Sequence, residues 1–127
     1  MFFYFINMAN IKLNKFERPW GWYTIIHGTD TSGYKVKKIG VKPKSRLSLQ
    51  SHDQRSEHWV IIKGRARVQI GGDFLELREN QHVYIPKKTL HRIENIGDEE
   101  VEFIETQIGE YLGEDDIIRY EDDYNRH

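Results

Sequence analysis

The sequence predicts an all-β domain, an antiparallel sandwich or barrel of short strands. Three observations predict it. Apolar residues recur with a period of two rather than 3.6, the pattern of strands with one buried face. Turn signals such as Lys63-Gly64, Gly71-Gly72-Asp73 and Ile96-Gly97-Asp98 punctuate the chain at short intervals. Aromatic residues, 13% of the 127, are the compositional excess, and they favour pleated surfaces.

The strands follow in order. Trp22 to His27 is a β-rich run. Tyr34 to Lys42 sets Tyr34, Val36 and Lys38 against Lys35, Lys37 and Ile39. Arg46 to Gln50 places Leu47 and Leu49 on one face. Glu57 to Lys63 carries Trp59, Val60, Ile61 and Ile62 in succession, which predicts burial on both faces and sheet-on-sheet dimerisation. Ala66 to Ile70 and Phe74 to Arg78 alternate across the Gly71-Gly72-Asp73 turn. His82 to Pro86 and His91 to Ile96 follow. Glu100 to Ile108 alternates Val101 and Phe103, with Ile104 out of step. The acidic tail from Gly113 to His127 is expected to be irregular or to hold a short helix over Asp115 to Tyr120. Residues 1–15 read as an N-terminal extension or edge strand, and 16–127 as a single domain. The apolar start Phe2-Phe3-Tyr4-Phe5 suits pairing with a partner subunit, unless Met8 is the true start.

Composition removes several function classes. Lys+Arg 19 against Asp+Glu 20 gives a net charge of −1, without the basic surplus of a nucleic-acid module or the attraction to anionic membranes. There is no cysteine, hence no disulfide, thiolate metal site or cysteine nucleophile. The longest apolar run, Phe2 to Ile6, is too short to span a bilayer, and the chain reads as soluble and cytoplasmic. No glycine-rich phosphate loop or Gly-x-Ser-x-Gly elbow occurs.

Chemistry concentrates in one strand-turn-strand. Gln50 and His52, two apart, share a strand face; Glu57 opens the next strand, and His91 opens another about forty residues on. Two imidazoles, a carboxylate and an amide oxygen suit a divalent metal, with positions left for water or substrate. The plainer alternative is histidines with no metal role. Trp20, Trp22 and Trp59 read either as a sugar-stacking platform or as barrel core and dimer interface, the second being favoured. The run Glu114, Asp115 and Asp116 reads as a capping or salt-bridging turn.

Gln50-Ser51-His52, Glu57 and Gly64 resemble the first motif of the cupin superfamily. Pro86-Lys87-Lys88-Thr89-Leu90-His91 with Asn95 resembles the second. The likeness is closer to the mannose-6-phosphate isomerase (type II phosphomannose isomerase) module of bifunctional guanylyltransferase/isomerase proteins, here read as stand-alone. It is carried by Arg18-Pro19-Trp20-Gly21, Leu47-Ser48-Leu49-Gln50, Arg55-Ser56-Glu57-His58-Trp59, Tyr84-Ile85-Pro86, His91-Arg92-Ile93-Glu94-Asn95 and Tyr111-Leu112-Gly113-Glu114-Asp115-Asp116-Ile117.

This resemblance implies a cupin double-stranded β-helix, a jelly-roll barrel, and a homodimer. It implies one divalent ion (Zn, Co, Mn, Fe or Mg) on Gln50, His52, Glu57 and His91. The implied reaction interconverts mannose 6-phosphate and fructose 6-phosphate by enediol proton transfer, in GDP-mannose metabolism. Arg119 is the implied catalytic arginine. Glu57, His58, Lys42 and Tyr84 are base candidates, although strand parity turns His58 outward. Arg55, Arg119, Lys42 and Lys88 are phosphate candidates, the two lysines reading more simply as solvated charges. Four positions where the family commonly has glycine are Lys44, Asn80, Lys88 and Asn125, and the extra histidines often found after the ligand histidine are Asp53 and Gln54. Two other functions remain open: a nucleotide-sugar epimerase or ketoisomerase, and a non-catalytic sugar-binding cupin.

Overall fold

A computed structural model describes residues 13–126. Eleven strands run in chain order: β1 (Phe16–Arg18), β2 (Gly21–Gly28), β3 (Tyr34–Val41), β4 (Leu49–Ser51), β5 (Arg55–Lys63), β6 (Ala66–Ile70), β7 (Asp73–Leu77), β8 (His82–Ile85), β9 (His91–Asn95), β10 (Val101–Gly109) and β11 (Ile118–Glu121). They form two antiparallel sheets, one in the order β1-β2-β3-β10-β5-β8 and one in the order β11-β4-β9-β6-β7. There is no helix among the described residues, and so none long and apolar enough to cross a membrane.

Strand register explains where chemistry sits. On the inner face of the larger sheet, Ile39, Phe103 and Ile61 lie abreast on β3, β10 and β5. The next row is Lys37, Glu105 and Trp59, and the next Lys35, Gln107 and Glu57. The interior is thus apolar towards one end and polar towards the other. Val41, Ile61, Val68, Ile93, Val101 and Phe103 are fully buried in the apolar part. Each large side chain there contributes roughly 1.5–3 kcal/mol by leaving water. The alternation along the five residues of β9 repeats the gradient: Ile93 packs in the core, while His91 opens the strand at the polar end.

Several expectations are corrected. The Asp115 to Tyr120 helix is absent; Ile118–Glu121 is instead β11, pairing Ile118 with Ser51 and Arg119 with Gln50. The strand expected over Arg46 to Gln50 is regular only from Leu49, Arg46 forming an isolated bridge to Glu94. Consecutive apolar residues on β5 are not buried on both faces. Trp59 is 1% exposed, but Val60 and Ile62, on the outer side, are 40% and 42% exposed. The edge-strand reading of 1–15 and the Phe2-Phe3-Tyr4-Phe5 pairing fall almost wholly outside the described residues.

Two backbone details fit the sequence closely. Lys44, Asn80, Lys88 and Asn125 all adopt left-handed φ, between 55° and 70°, the region that favours glycine, so these four corners are turned with side chains attached, at some strain for lysine. Gly40 gives room to Trp22: a Cβ there would fall 2.3 Å from the indole ring.

Candidate metal centre and its cleft

His52 lies just beyond β4, and the Asp53-Gln54 turn brings the chain back so that Arg55 and Glu57 face inward on β5. Asp116 holds this turn: its carboxylate accepts the backbone N–H groups of Asp53 and Gln54 at 3.0 and 2.9 Å. His91 enters from the opposite sheet. His52, Glu57 and His91 are each at most 3% exposed, and one ligand atom from each lies within 4.8 Å of the others.

The imidazole orientations follow from their backbone partners. His52 Nδ1 lies 2.7 Å from the Asp116 carbonyl oxygen, and His91 Nδ1 lies 2.8 Å from that of Thr89. A carbonyl only accepts, so each Nδ1 carries the proton and each neutral ring turns its Nε2 lone pair inward. Those Nε2 atoms sit 3.3 Å and 3.8 Å from Glu57 oxygens, and His91 Nε2 is buried with no hydrogen-bond partner. Lone pairs facing a carboxylate repel unless a cation stands between them. The donor set therefore fits a divalent metal, with second contacts that fix the ligand tautomers. Gln50 pairs with His91 in the sheet register and lines the same cleft as His52; its Oε1 accepts the Ser48 hydroxyl at 3.1 Å.

Charge states support ligation. Burial, with Arg55 and His91 nearby, lowers His52 to about 4, leaving it neutral at pH 7. Burial alone would raise Glu57, but the Arg55 guanidinium beside it more than offsets this and holds the carboxyl at about 2. Glu105 goes the other way: burial and the Glu57 carboxylate push it up to about 7. Trp59 Nε1 donates to both carboxylates at 3.0 Å, and Gln107 Nε2 donates to Glu105 at 2.8 Å.

Above this cluster opens a cleft lined by Arg18, Tyr23, Lys37, Arg55, Glu105 and Arg119 among others. Arg119 donates from Nη1 to the Arg126 carbonyl oxygen at 2.9 Å, and its Nε is buried without a partner. Among the described residues neither Arg18 nor Arg119 is in a salt bridge. Lys37 lies 4.4 Å from the Tyr23 ring centroid and is paired with Glu114 of the tail.

The structure brings Gln50, His52, Arg55 and Arg119 to the cleft and Glu57 and His91 behind it. It leaves others out. His58 stacks on Tyr84, ring centroids 4.7 Å apart, and both are exposed on the outer face of the sheet; neither can serve Glu57's side as a base. Lys42 and Lys88 are exposed and do not line the cleft. Lys42 follows buried Val41 with outward parity, and Lys88 occupies a left-handed corner, contributing its backbone N–H to the His52 carbonyl oxygen at 2.7 Å. All three tryptophans are buried, as the core reading expected, with Trp20 also at the cleft wall. Lys37, Glu105, Arg18 and Arg126 are cleft residues that sequence reasoning missed. A signal existed for two of them: Lys37 shares parity with Ile39, and Glu105 with Val101 and Phe103.

Comparison with known proteins identifies the family and the fold. Residues 7–122 match the family described as mannose-6-phosphate isomerase C-terminal. The xanthan biosynthesis protein XanB of Xanthomonas campestris is 49% identical over 112 residues, covering 88% of this chain and 24% of that protein. The mannose-1-phosphate guanylyltransferase of Escherichia coli is 47% identical over 109 residues, covering 86% of this chain and 22% of that protein. The chain thus spans about a quarter of the length of these relatives. Among solved structures, a cupin-2 domain protein of Rhodospirillum rubrum, Rru_A2000, superposes with TM-score 0.69 at 18% identity, covering 91% of this chain and 84% of that one. The fold is therefore the cupin barrel, and the chain belongs to the mannose-6-phosphate isomerase C-terminal family.

Proposed function

We propose that the protein is a metal-dependent isomerase interconverting mannose 6-phosphate and fructose 6-phosphate. The observation that carries this reading is the placement of two inward Nε2 lone pairs and a buried carboxylate behind a cation-lined cleft. The metal held by His52, Glu57, His91 and Gln50 would polarise the carbonyl and hydroxyl oxygens of adjacent sugar carbons and stabilise enediolate charge.

The chain's own residues divide the remaining work. Arg119, with an unpartnered Nε, and Arg18 receive the phosphate, for which a guanidinium fork is suited. Glu105 carries the proton between the two carbons. It lines the cleft and titrates near neutrality, where a general base works best. Trp59 and Gln107 hold its oxygens in place.

Turnover followed by NMR in deuterated water tests the reading, with Zn, Co, Mn and Mg supplied in turn. Fructose 6-phosphate should form only with metal, with deuterium at the transferred carbon. His91→Ala should bind less metal and give no product. Full turnover by metal-stripped His91→Ala, or no product and no exchange with any metal, would overturn it.

A further inference from the structure

Arg55 is fitted to the metal centre in a way its neighbours are not. Its Nε donates to Glu57 Oε2 at 2.8 Å, and its Nη2 lies 3.3 Å from His52 Nε2. The side chain is 5% exposed, and it lines the cleft while Glu57 and His91 do not. The guanidinium therefore lies on the cleft side of the ligand cluster.

His52 has one lone pair to give. Its Nδ1 carries the proton donated to the Asp116 carbonyl, so Nε2 is the sole acceptor on the ring. Arginine only donates. The Nη2 contact therefore occupies the same lone pair that a metal must take. Glu57 Oε2 has capacity for both partners; His52 Nε2 does not. A positive charge held this near the ligands also opposes a second cation.

We infer that Arg55 is an internal competitor for the metal, and that metal binding and release of its Nη2 from His52 are one equilibrium. This rests on the reading of His52, Glu57 and His91 as metal ligands. Arg55 Nη1 is already buried without a partner. Once Nη2 is displaced, both NH2 groups of the guanidinium lack a protein partner, so Arg55 offers more donors to ligand oxygens in the cleft when the centre is loaded than when it is empty. Arg55 is thus a positioning residue that couples metal occupancy to the donor pattern of the cleft.

The experiment measures the dissociation constant of Co(II) by chelator competition, with its visible spectrum as the second readout, for wild type, Arg55→Met and Arg55→Lys. Losing a charged hydrogen bond that competes for one ligand should tighten Co(II) binding by roughly ten- to a hundredfold in Arg55→Met. Arg55→Lys, unable to bridge Glu57 and His52 together, should fall between. In wild type, the 15N-labelled Nη signals of Arg55 should shift on metal addition, a readout that needs no variant to fold. Equal or weaker Co(II) binding by Arg55→Met, with wild type binding normally, would overturn the competition and leave the metal centre standing. An unmoved Arg55 signal at saturating Co(II) would do the same. Absence of Co(II) binding by wild type and both variants would overturn the metal reading, and this inference with it.

Discussion

Replacing Glu105 with Gln should change how stability depends on pH, because two buried groups titrate in opposite senses. His52 lies at about 4 in the folded protein against 6.5 ordinarily. Between those values the unfolded chain binds more protons, so stability falls as pH falls. At about 1.4 kcal/mol per pH unit the full gap is worth about 3 kcal/mol, of which about 2 kcal/mol falls between pH 6.5 and 4.5. Glu105 has the reverse sign. Its raised folded value means the folded protein binds the extra proton, so stability rises as pH falls from about 7 towards 4.5. Glu57, held low, contributes its loss only below about 4.5. In wild type the His52 and Glu105 effects oppose each other, and stability should be nearly level over pH 4.5–6.5. The Gln side chain keeps an oxygen for Trp59 Nε1, and its amide can donate to Gln107 Oε1, which is buried without a partner, after a flip of the Gln107 amide. Glu105→Gln should therefore fold and expose the His52 slope. Urea unfolding in the presence of EDTA, at pH 6.5, 5.5 and 4.5, measures it. A Glu105→Gln curve as level as that of wild type would refute the assignment of opposing buried titrations.

Two further outcomes test the cleft and the corners. Arg119→Ala should raise the Michaelis constant for a sugar phosphate roughly tenfold or more with an unchanged far-UV spectrum; steady-state kinetics with unchanged constants would remove Arg119 from phosphate binding. Lys44→Gly should stabilise the protein by about 0.5 kcal/mol, since relief of left-handed strain exceeds the added entropy of the unfolded chain, and raise Tm by roughly 2 °C in a calorimetric scan.

Most of the fold was legible because alternation survives in long, half-buried strands such as β3, β6 and β10. What was missed lacks that signal. β1 has three residues, all exposed. β11 is a mostly exposed edge strand amid acidic side chains, and only its pairing with β4 makes it a strand. The consecutive apolar residues of β5 divide between the two faces: Trp59 and Ile61 fill the core, while Val60 and Ile62 are exposed on the outer face of the single chain. The grouping of His52, Glu57 and His91 was readable from the two motifs. Of the cleft, Arg55 and Arg119 were named from the resemblance; Arg18, Lys37 and Glu105 were not, because they come from three separate strands whose adjacency is set by sheet order. Lys42 and Lys88 show the converse: proximity in sequence to a ligand or motif does not decide which way a side chain points.

The position of β10 has a consequence for how the barrel assembles. It lies between β3 and β5, yet it follows both in the chain by many residues. A nascent polypeptide that has reached Asn95 already carries β4, β6, β7 and β9, so four strands of the smaller sheet can pair. The larger sheet cannot close, because β3 and β5 present bare edges across a gap one strand wide. Those edges invite pairing with another chain. Emergence of Val101–Gly109 satisfies both at once and sets Glu105 between Lys37 and Trp59, and Gln107 between Lys35 and Glu57. The last long strand to be synthesised thus joins the halves of the larger sheet and supplies the larger sheet's polar row to the cleft in a single step.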